Sequence, residues 1–591
     1  MRGLLDTHNE KFDYKHTSLR WGKVRCLLAF LLFVATGILL GRRYVVEYQS
    51  SQLVSLSAPD PFHWRQCTND PHYLCGYLIV PLDYTNISDP RTVVIATTLY
   101  QQNPGQKTTR TLVIEPGGPG GSGTAMLWRK GKRFGEMYTD SQLDVLGFDP
   151  RGVNLSSPAI SGFRHDAYRD RWSWIFSTFP ESVGELAIDT LDAMSEATMR
   201  GLDEKYGDIP RFLTTAFVAR DVDMIREALR EENLTGFLVS YGTGIGAVLF
   251  EPRFPPPNCW EQDRMFPERV GSLVLDGMEY APDARTPWDW GTTSLDNVTD
   301  AFEDGFIGEC VKAGHDSCAL ATNEQSDLID YEAVRATLSI RVRAIFQSTL
   351  KRPIPGVSSN GPGIVTYGQA IEWLYSTLYH PDDWKEAAKA LAQLEAGNAT
   401  LMLNTLQEHG FSFDPMVSEV WDDPFPGIYA SRQPSSQELQ TLVICGDSYD
   451  AEKKSLDWWK ELRAKMVKTS WISGNARLYT TILCRHFHWE SAEVYRGNFT
   501  STLNHPLLLI GSPYDPATPL RNARRLAAEM KDNARLIVHG GYGHSSAGDI
   551  SSCTNAIVRA FILNDTVPEQ AETFCQPDGK PFDMDSARPN R

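Results

Sequence analysis

Three residues that could act together on an acyl group each follow an apolar run and sit in a turn rich in glycine or proline: Ser240, Asp515 and His544. A serine hydroxyl is a poor nucleophile at neutral pH. It needs an imidazole to take its proton, and the imidazole needs a carboxylate that fixes its tautomer and stabilises its cation. The serine lies in Gly236-Phe-Leu-Val-Ser240-Tyr241-Gly242-Thr-Gly244-Ile-Gly246, where Phe237 to Val239 reads as a short buried strand and the small residues beyond as the start of a helix. A sharp strand-to-helix turn exposes the hydroxyl and sets the backbone N–H of Tyr241 beside a developing oxyanion. The competing reading is an ordinary Ser-Tyr-Gly turn, since Leu238 stands where a small residue would let strand and helix approach.

The elements that must position these residues read as a mostly parallel sheet with crossovers, so the turns after its strands share one edge. Strand-like runs are Tyr77 to Val80, Thr92 to Leu99, Thr111 to Ile114, Leu143 to Phe148, Ser272 to Leu275, Pro506 to Ile510 and Ala534 to His539. Thr111 to Ile114 ends in Glu115-Pro-Gly117-Gly118-Pro119-Gly120-Gly121-Ser-Gly123. The lysine and Ser/Thr of a phosphate-binding loop are missing, so backbone N–H groups facing an active site are the better account. Asp149 and Arg151, after the Phe148 strand, read as a structural ion pair or loop brace. Asp276 reads as a turn or helix-capping residue rather than a contact to a substrate amine. Thr214 to Glu231 and Leu520 to Met530 read as helices, and Trp288 to Gly497 as mainly helical. The domain organisation expected is a core of 62–287 and 498–591 with a helical cap, 288–497, inserted between its halves.

The 591 residues are 42% hydrophobic and 22% charged, the composition of a globular chain. A formal net charge of -17 argues against nucleic acid or a broad anionic membrane surface as partner. Residues 1–25 form a basic leader. The apolar segment 26–41 reads as an uncleaved signal-anchor that would place the rest of a type II membrane protein in the secretory lumen or outside the cell, with secretion after cleavage as the alternative. Residues 42–61 form a tether. The cysteines suit an oxidising compartment: Cys67 with Cys75, Cys310 with Cys318, Cys445 with Cys484 and Cys553 with Cys575 are the expected disulfides, on the ground that short loops pair most readily. Cys26 and Cys259 are left over, and no Cys-x-x-Cys pattern points to zinc. Glycosylation tripeptides stand at Asn86, Asn233, Asn297, Asn398, Asn498 and Asn564, and a seventh, at Asn154, sits where a glycan is not expected.

Pro116-Gly-Gly-Pro-Gly120, Asp149-Pro-Arg-Gly152, Ser240-Tyr-Gly242-Thr, Asp515-Pro-Ala-Thr-Pro519 and Gly541-Tyr-Gly-His544 occur in that order. Together they resemble the secreted tripeptidyl aminopeptidase and proline iminopeptidase family of α/β-hydrolases, with its TAP-like C-terminal region, over about Phe62 to Asp578. The resemblance implies Ser240 as nucleophile, His544 as general base and then acid, and Asp515 as the residue that orients it. It implies Gly118 and Tyr241 as oxyanion donors, a helical cap, no metal and no cofactor. Substrates would be peptides with a free N-terminus, cleaved through an acyl-enzyme. Two features depart from the pattern: Leu238, and the proline-rich stretch Glu251 to Asp263, which interrupts the helix behind the serine and reads as a surface loop or as unspliced sequence. Two rival functions stand beside the peptidase: a carboxylesterase or lipase on small esters, and a catalytically impaired hydrolase fold that serves as a binding protein. Oligomeric state is not legible.

Overall fold

The computed structural model describes residues 60–178, 185–249, 267–321, 330–410, 424–429, 437–497, 499 and 503–583. The basic leader, the 26–41 segment, nearly all of the tether, and the 251–263 stretch with Cys259 lie outside the described residues. Among the described residues no helix is long and apolar enough to cross a membrane.

Ten strands form one mixed sheet: β1 (Arg65–Gln66), β2 (Tyr73–Pro81), β3 (Thr92–Tyr100), β4 (Thr111–Glu115), β5 (Asp144–Phe148), β6 (Leu234–Val239), β7 (Val270–Asp276), β10 (Leu507–Gly511), β11 (Ala534–His539) and β12 (Glu572–Cys575). Their order is β1-β2-β3-β5-β4-β6-β7-β10-β11-β12. The pairings from β5 to β12 are parallel, and those joining β1, β2, β3 and β5 are antiparallel. β4, β5, β6, β7 and β10 are buried along their whole length, as expected of strands covered on both faces. One face carries the helices Thr215–Leu229, Tyr241–Leu249 and Leu520–Met530, packed through Phe217, Val222, Ile245 and Leu526. The other carries Gly123–Thr139 and Ser552–Asn564, packed through Leu127, Phe134 and Phe561.

The helix read from Thr214 to Glu231 runs Thr215–Leu229, ended by Arg230 in the left-handed region at φ 60°; Leu520–Met530 has the expected bounds. Two features differ from expectation. Residues 288–497 also hold a β-hairpin, β8 (Ile354–Ser358) with β9 (Gly361–Val365). Its two-residue turn is Ser359-Asn360, and Gly361, at φ +116°, opens the second strand opposite Ser358. Helices Asp166–Thr178 and Glu185–Tyr206, before β6, also join the layer, where Ile188 and Leu191 pack with Leu295, Trp459 and Leu478. The helical layer is therefore drawn from two stretches of chain. Its second core, around Phe302, Phe306, Trp384 and Leu391, is separate from those of the sheet.

Candidate active site

Parallel strands deliver their following turns to one edge, and the candidate residues lie along it. After β6 the chain turns directly into the helix at Tyr241, and Ser240 takes φ +56°. A non-glycine residue there is strained by about 1–3 kcal/mol, which its surroundings must offset. Ser240 N–H donates to Asp276 O at 2.9 Å, and its carbonyl accepts from Thr243 N–H at 2.8 Å. Leu238 is fully buried. The room that a small residue would have supplied on the strand comes instead from the helix: a Cβ at Gly246 would lie 3.0 Å from Leu238 Cδ1 and 2.5 Å from Leu275 Cδ2. Strand and helix thus meet through a leucine facing a glycine.

The glycine loop packs directly on this turn. Gly117, at φ +91°, has no room for a side chain, since a Cβ would stand 2.4 Å from Val239 O and 2.9 Å from Tyr241 N. Gly118, at φ +121°, lines the same cavity as Ser240 and His544. Beneath them Glu115 is fully buried. One of its oxygens accepts from Gly117 N–H at 2.9 Å, and burial pushes its carboxyl up to about 8.

Asp149 and Arg151 are not an ion pair with each other. Asp149 braces the end of the glycine loop, accepting from Ser122 Oγ at 2.6 Å, Thr124 N at 3.1 Å and Asn154 Nδ2 at 3.0 Å. Ser122 in turn caps the following helix, accepting from Ala125 N at 3.0 Å. Arg151 forms a fork with Asp221, 2.7 Å on both arms and wholly buried, and donates to the carbonyls of Leu82 and Phe212. Two residues apart on one turn, they point in different directions, and each has its own partner.

Asp515 is fully buried and well supplied with donors: Ala517 N at 2.8 Å, Thr518 N at 2.9 Å, Thr518 Oγ1 at 2.9 Å and Ser545 N at 2.8 Å. His544 Nδ1 lies 2.9 and 3.0 Å from its two oxygens. Burial alone would raise this carboxyl, but His544 and the backbone donors hold it below its ordinary value. Thr518, 3.3 Å from His544 Nδ1, was not singled out from sequence; the Asp-Pro-Ala-Thr spacing, which closes a local side-chain turn, was its only signal. Asp276 neither caps a helix nor lines the cavity. It accepts from Ser546 N at 2.9 Å and Ser546 Oγ at 2.6 Å, tying the His544 loop to β7, and burial raises its carboxyl to about 6. Tyr379, from the helix Tyr367–Tyr379, accepts the His544 N–H on its carbonyl at 3.2 Å and sets its ring edge-on to the imidazole at 5.2 Å.

Ser240, His544 and Gly118 open into one cavity of about 360 Å³. The Tyr241 side chain is buried away from it, its hydroxyl 2.8 Å from that of Thr215. The same cavity is lined by residues that sequence reasoning missed: Glu279, Trp290, Tyr379 and Arg477. Glu279 accepts from Trp290 Nε1, and burial raises its carboxyl to about 7. Among the described residues no cluster of His, Cys, Asp and Glu could hold a metal ion.

Disulfides join Cys67–Cys75, Cys310–Cys318, Cys445–Cys484 and Cys553–Cys575, the bonds of a protein matured in an oxidising, extracellular or secretory setting. Asn86, Asn398 and Asn564 are exposed, Asn233 and Asn297 are half-buried, and Asn498 is outside the described residues.

The family profile of the α/β hydrolase fold matches residues 110–310, and that of TAP-like proteins matches 470–575. Over 569 residues the chain is 25% identical to serine protease Hip1 of Mycobacterium tuberculosis, covering 92% of this chain and 96% of that one. It is 24% identical to tripeptidyl aminopeptidase of Streptomyces lividans, covering 88% and 87%. Carboxylesterase B of Mycobacterium tuberculosis is 25% identical, covering 84% and 85%. The mixed, mostly parallel sheet, the site at its edge and these matches agree: the chain is a serine hydrolase with the α/β-hydrolase fold, and its C-terminal part is similar to TAP-like proteins.

Proposed function

We propose that this protein is a serine peptidase that removes residues from free peptide N-termini. The observation that carries the reading is that Ser240, His544 and Gly118 share one cavity with a partly buried carboxylate, Glu279. His544, its Nδ1 held by Asp515, takes the Ser240 proton on Nε2 as the hydroxyl attacks the scissile carbonyl. The backbone N–H groups of Gly118 and Tyr241 receive the oxyanion. His544 then returns the proton to the departing amine, and a water, activated by the same imidazole, hydrolyses the acyl-enzyme. Glu279 in its ionised form holds the substrate ammonium, which limits cleavage to bonds near a free N-terminus.

The names of the Hip1 and tripeptidyl aminopeptidase relatives support peptide chemistry. That of carboxylesterase B supports the rival, an esterase on small esters, because one such constellation serves both reactions. Turnover of aminoacyl- and tripeptidyl-p-nitroanilides by the wild-type protein and by Ser240→Ala separates these. The peptidase reading expects cleavage that Ser240→Ala abolishes. Equal rates in the two proteins contradict it, and turnover confined to p-nitrophenyl esters favours the esterase. We further propose that the 288–497 helices act as the access-restricting cap, and that the 26–41 segment anchors the chain in the membrane with the hydrolase on the lumenal or extracellular side.

A further inference from the structure

Among the described residues Arg477 is, besides His544, the only basic one lining the cavity, and it is held in an unusual way. It projects from the helix Gly474–Ile482. Its Nε donates to Tyr375 Oη at 3.0 Å and its Nη2 to Tyr379 Oη at 3.2 Å, while the guanidinium lies over the Trp290 ring, 5.3 Å from the centroid. These partners are neutral. Among the described residues no carboxylate comes within ion-pair distance of it.

Arg477 is half-buried, and the buried arginines among the described residues are treated differently. Arg151 is paired with Asp221 at 2.7 Å, Arg220 with Glu493 at 2.8 Å and Arg169 with Glu438 at 3.1 Å. A guanidinium carries five N–H donors in a planar fork that matches a carboxylate. Two tyrosine oxygens engage only two of them. The acidic groups that share the cavity are committed elsewhere: Glu279 accepts from the Trp290 indole on the ring whose face Arg477 covers, and Asp283 accepts from Thr293 Oγ1 at 2.9 Å and pairs with Arg525 at 3.3 Å. Tyr375, Tyr379 and Trp290 thus fix a guanidinium in place beside the reacting groups and leave its fork without an anion.

We infer that Arg477 receives a carboxylate of the substrate inside the acyl cavity, so that the preferred substrates are peptides carrying a carboxylate within reach of the scissile bond. The inference rests on the peptidase reading. The carboxylate is either the C-terminus of a short peptide or the side chain of Asp or Glu, and both offer the same two oxygens to the fork. With Glu279 taking the ammonium, the first source makes the cavity selective for short zwitterionic peptides.

Equilibrium binding to the full-length Ser240→Ala protein tests this by affinity, and a p-nitroanilide assay of the same protein reports separately whether Ser240 is the nucleophile. The probes are two matched pairs: trialanine as free acid against trialanine amide, and Ala-Glu-Ala amide against Ala-Gln-Ala amide, followed by calorimetry. A preference of tenfold or more in the first pair assigns the C-terminus, and in the second the acidic side chain. Either preference is expected to fall to near unity in Ser240→Ala/Arg477→Met and to survive in part in Ser240→Ala/Arg477→Lys, which keeps the charge and loses the fork. Equal affinities within both pairs overturn the inference, whatever the variants do. So does a preference that persists undiminished in the Met variant, which would leave Arg477 as a brace for Tyr375 and Tyr379. Loss of the peptidase reading would show instead as undiminished p-nitroanilide turnover in Ser240→Ala.

Discussion

The sheet edge and the helical layer over it line the same cavity, but they hold their residues by different means. On the edge, main-chain groups do most of the holding. Asp515 is gripped by backbone N–H groups of Ala517, Thr518 and Ser545, Ser240 is fixed by a bond to Asp276 O, and Gly117 rests against Tyr241 N. On the layer, side chains hold side chains: Tyr375, Tyr379 and Trp290 hold Arg477, and the Trp290 indole also holds Glu279 of the loop after β7. Backbone-held groups stay in register over small distances, which proton transfer needs. Groups held by rings can change with substrate class while the chemistry stays intact. The two regions meet at Tyr379, whose carbonyl holds the His544 loop and whose hydroxyl holds Arg477.

That contrast breaks first, and most visibly, at the edge. Asp515→Asn should lower kcat by about 10⁴-fold, because the amide presents the wrong partner to His544 Nδ1, while the fold persists. Steady-state kinetics beside a circular dichroism spectrum checks it. Asp221→Ala leaves the buried Arg151 guanidinium without its counter-charge and should cost about 3–5 kcal/mol of stability, read by urea unfolding.

A subtler edge effect concerns Glu115, whose carboxyl is raised from 4.5 to about 8 by burial. Its folded-state pKa exceeds the unfolded one, so its contribution is whole below about pH 4.5 and is lost as pH rises toward 8. Glu115→Gln should flatten that decline, on the order of 3–4 kcal/mol between pH 5 and 8, in unfolding titrations across the range. Where the loop after β7 meets the layer, Glu279→Gln should reduce the ratio of kcat/KM for free-amine over N-acylated substrates by about 10–100-fold. In the wild type the ratio should climb as pH passes about 7, where Glu279 ionises, and fall above about 8 as the substrate amine loses its proton. In Glu279→Gln the rise near 7 should be gone.

The same contrast decides what could be read from the sequence. Turns that need a particular backbone leave short, ordered signatures: the glycine loop after β4, the Ser240 turn after β6 and the Asp515 and His544 turns after β10 and β11 were all visible. Thr518 sat inside one of them unnoticed, because a threonine three residues from an aspartate is common. Trp290, Tyr379 and Arg477 come from helices far apart in the chain and meet only through tertiary packing, which no local spacing encodes. Glu279, three residues past Asp276, escaped for a different reason: its value lies in burial against Trp290, and burial of a single polar residue has no period. Of the two readings of Asp149 and Arg151, the loop brace holds and the mutual ion pair does not, because nearness along a turn is not nearness of side chains. The Leu238 substitution looked damaging from the strand alone; its compensation, Gly246, is on the partner element.

The central claim is that Ser240 is made nucleophilic by His544 and Asp515 at the edge of the sheet. A fluorophosphonate probe reads that directly, since only an activated serine reacts with it. The account predicts stoichiometric labelling of the wild-type protein, located on Ser240 by peptide mass spectrometry, and loss of labelling in His544→Ala. Absence of labelling in folded wild-type protein, or labelling at another serine, would contradict it.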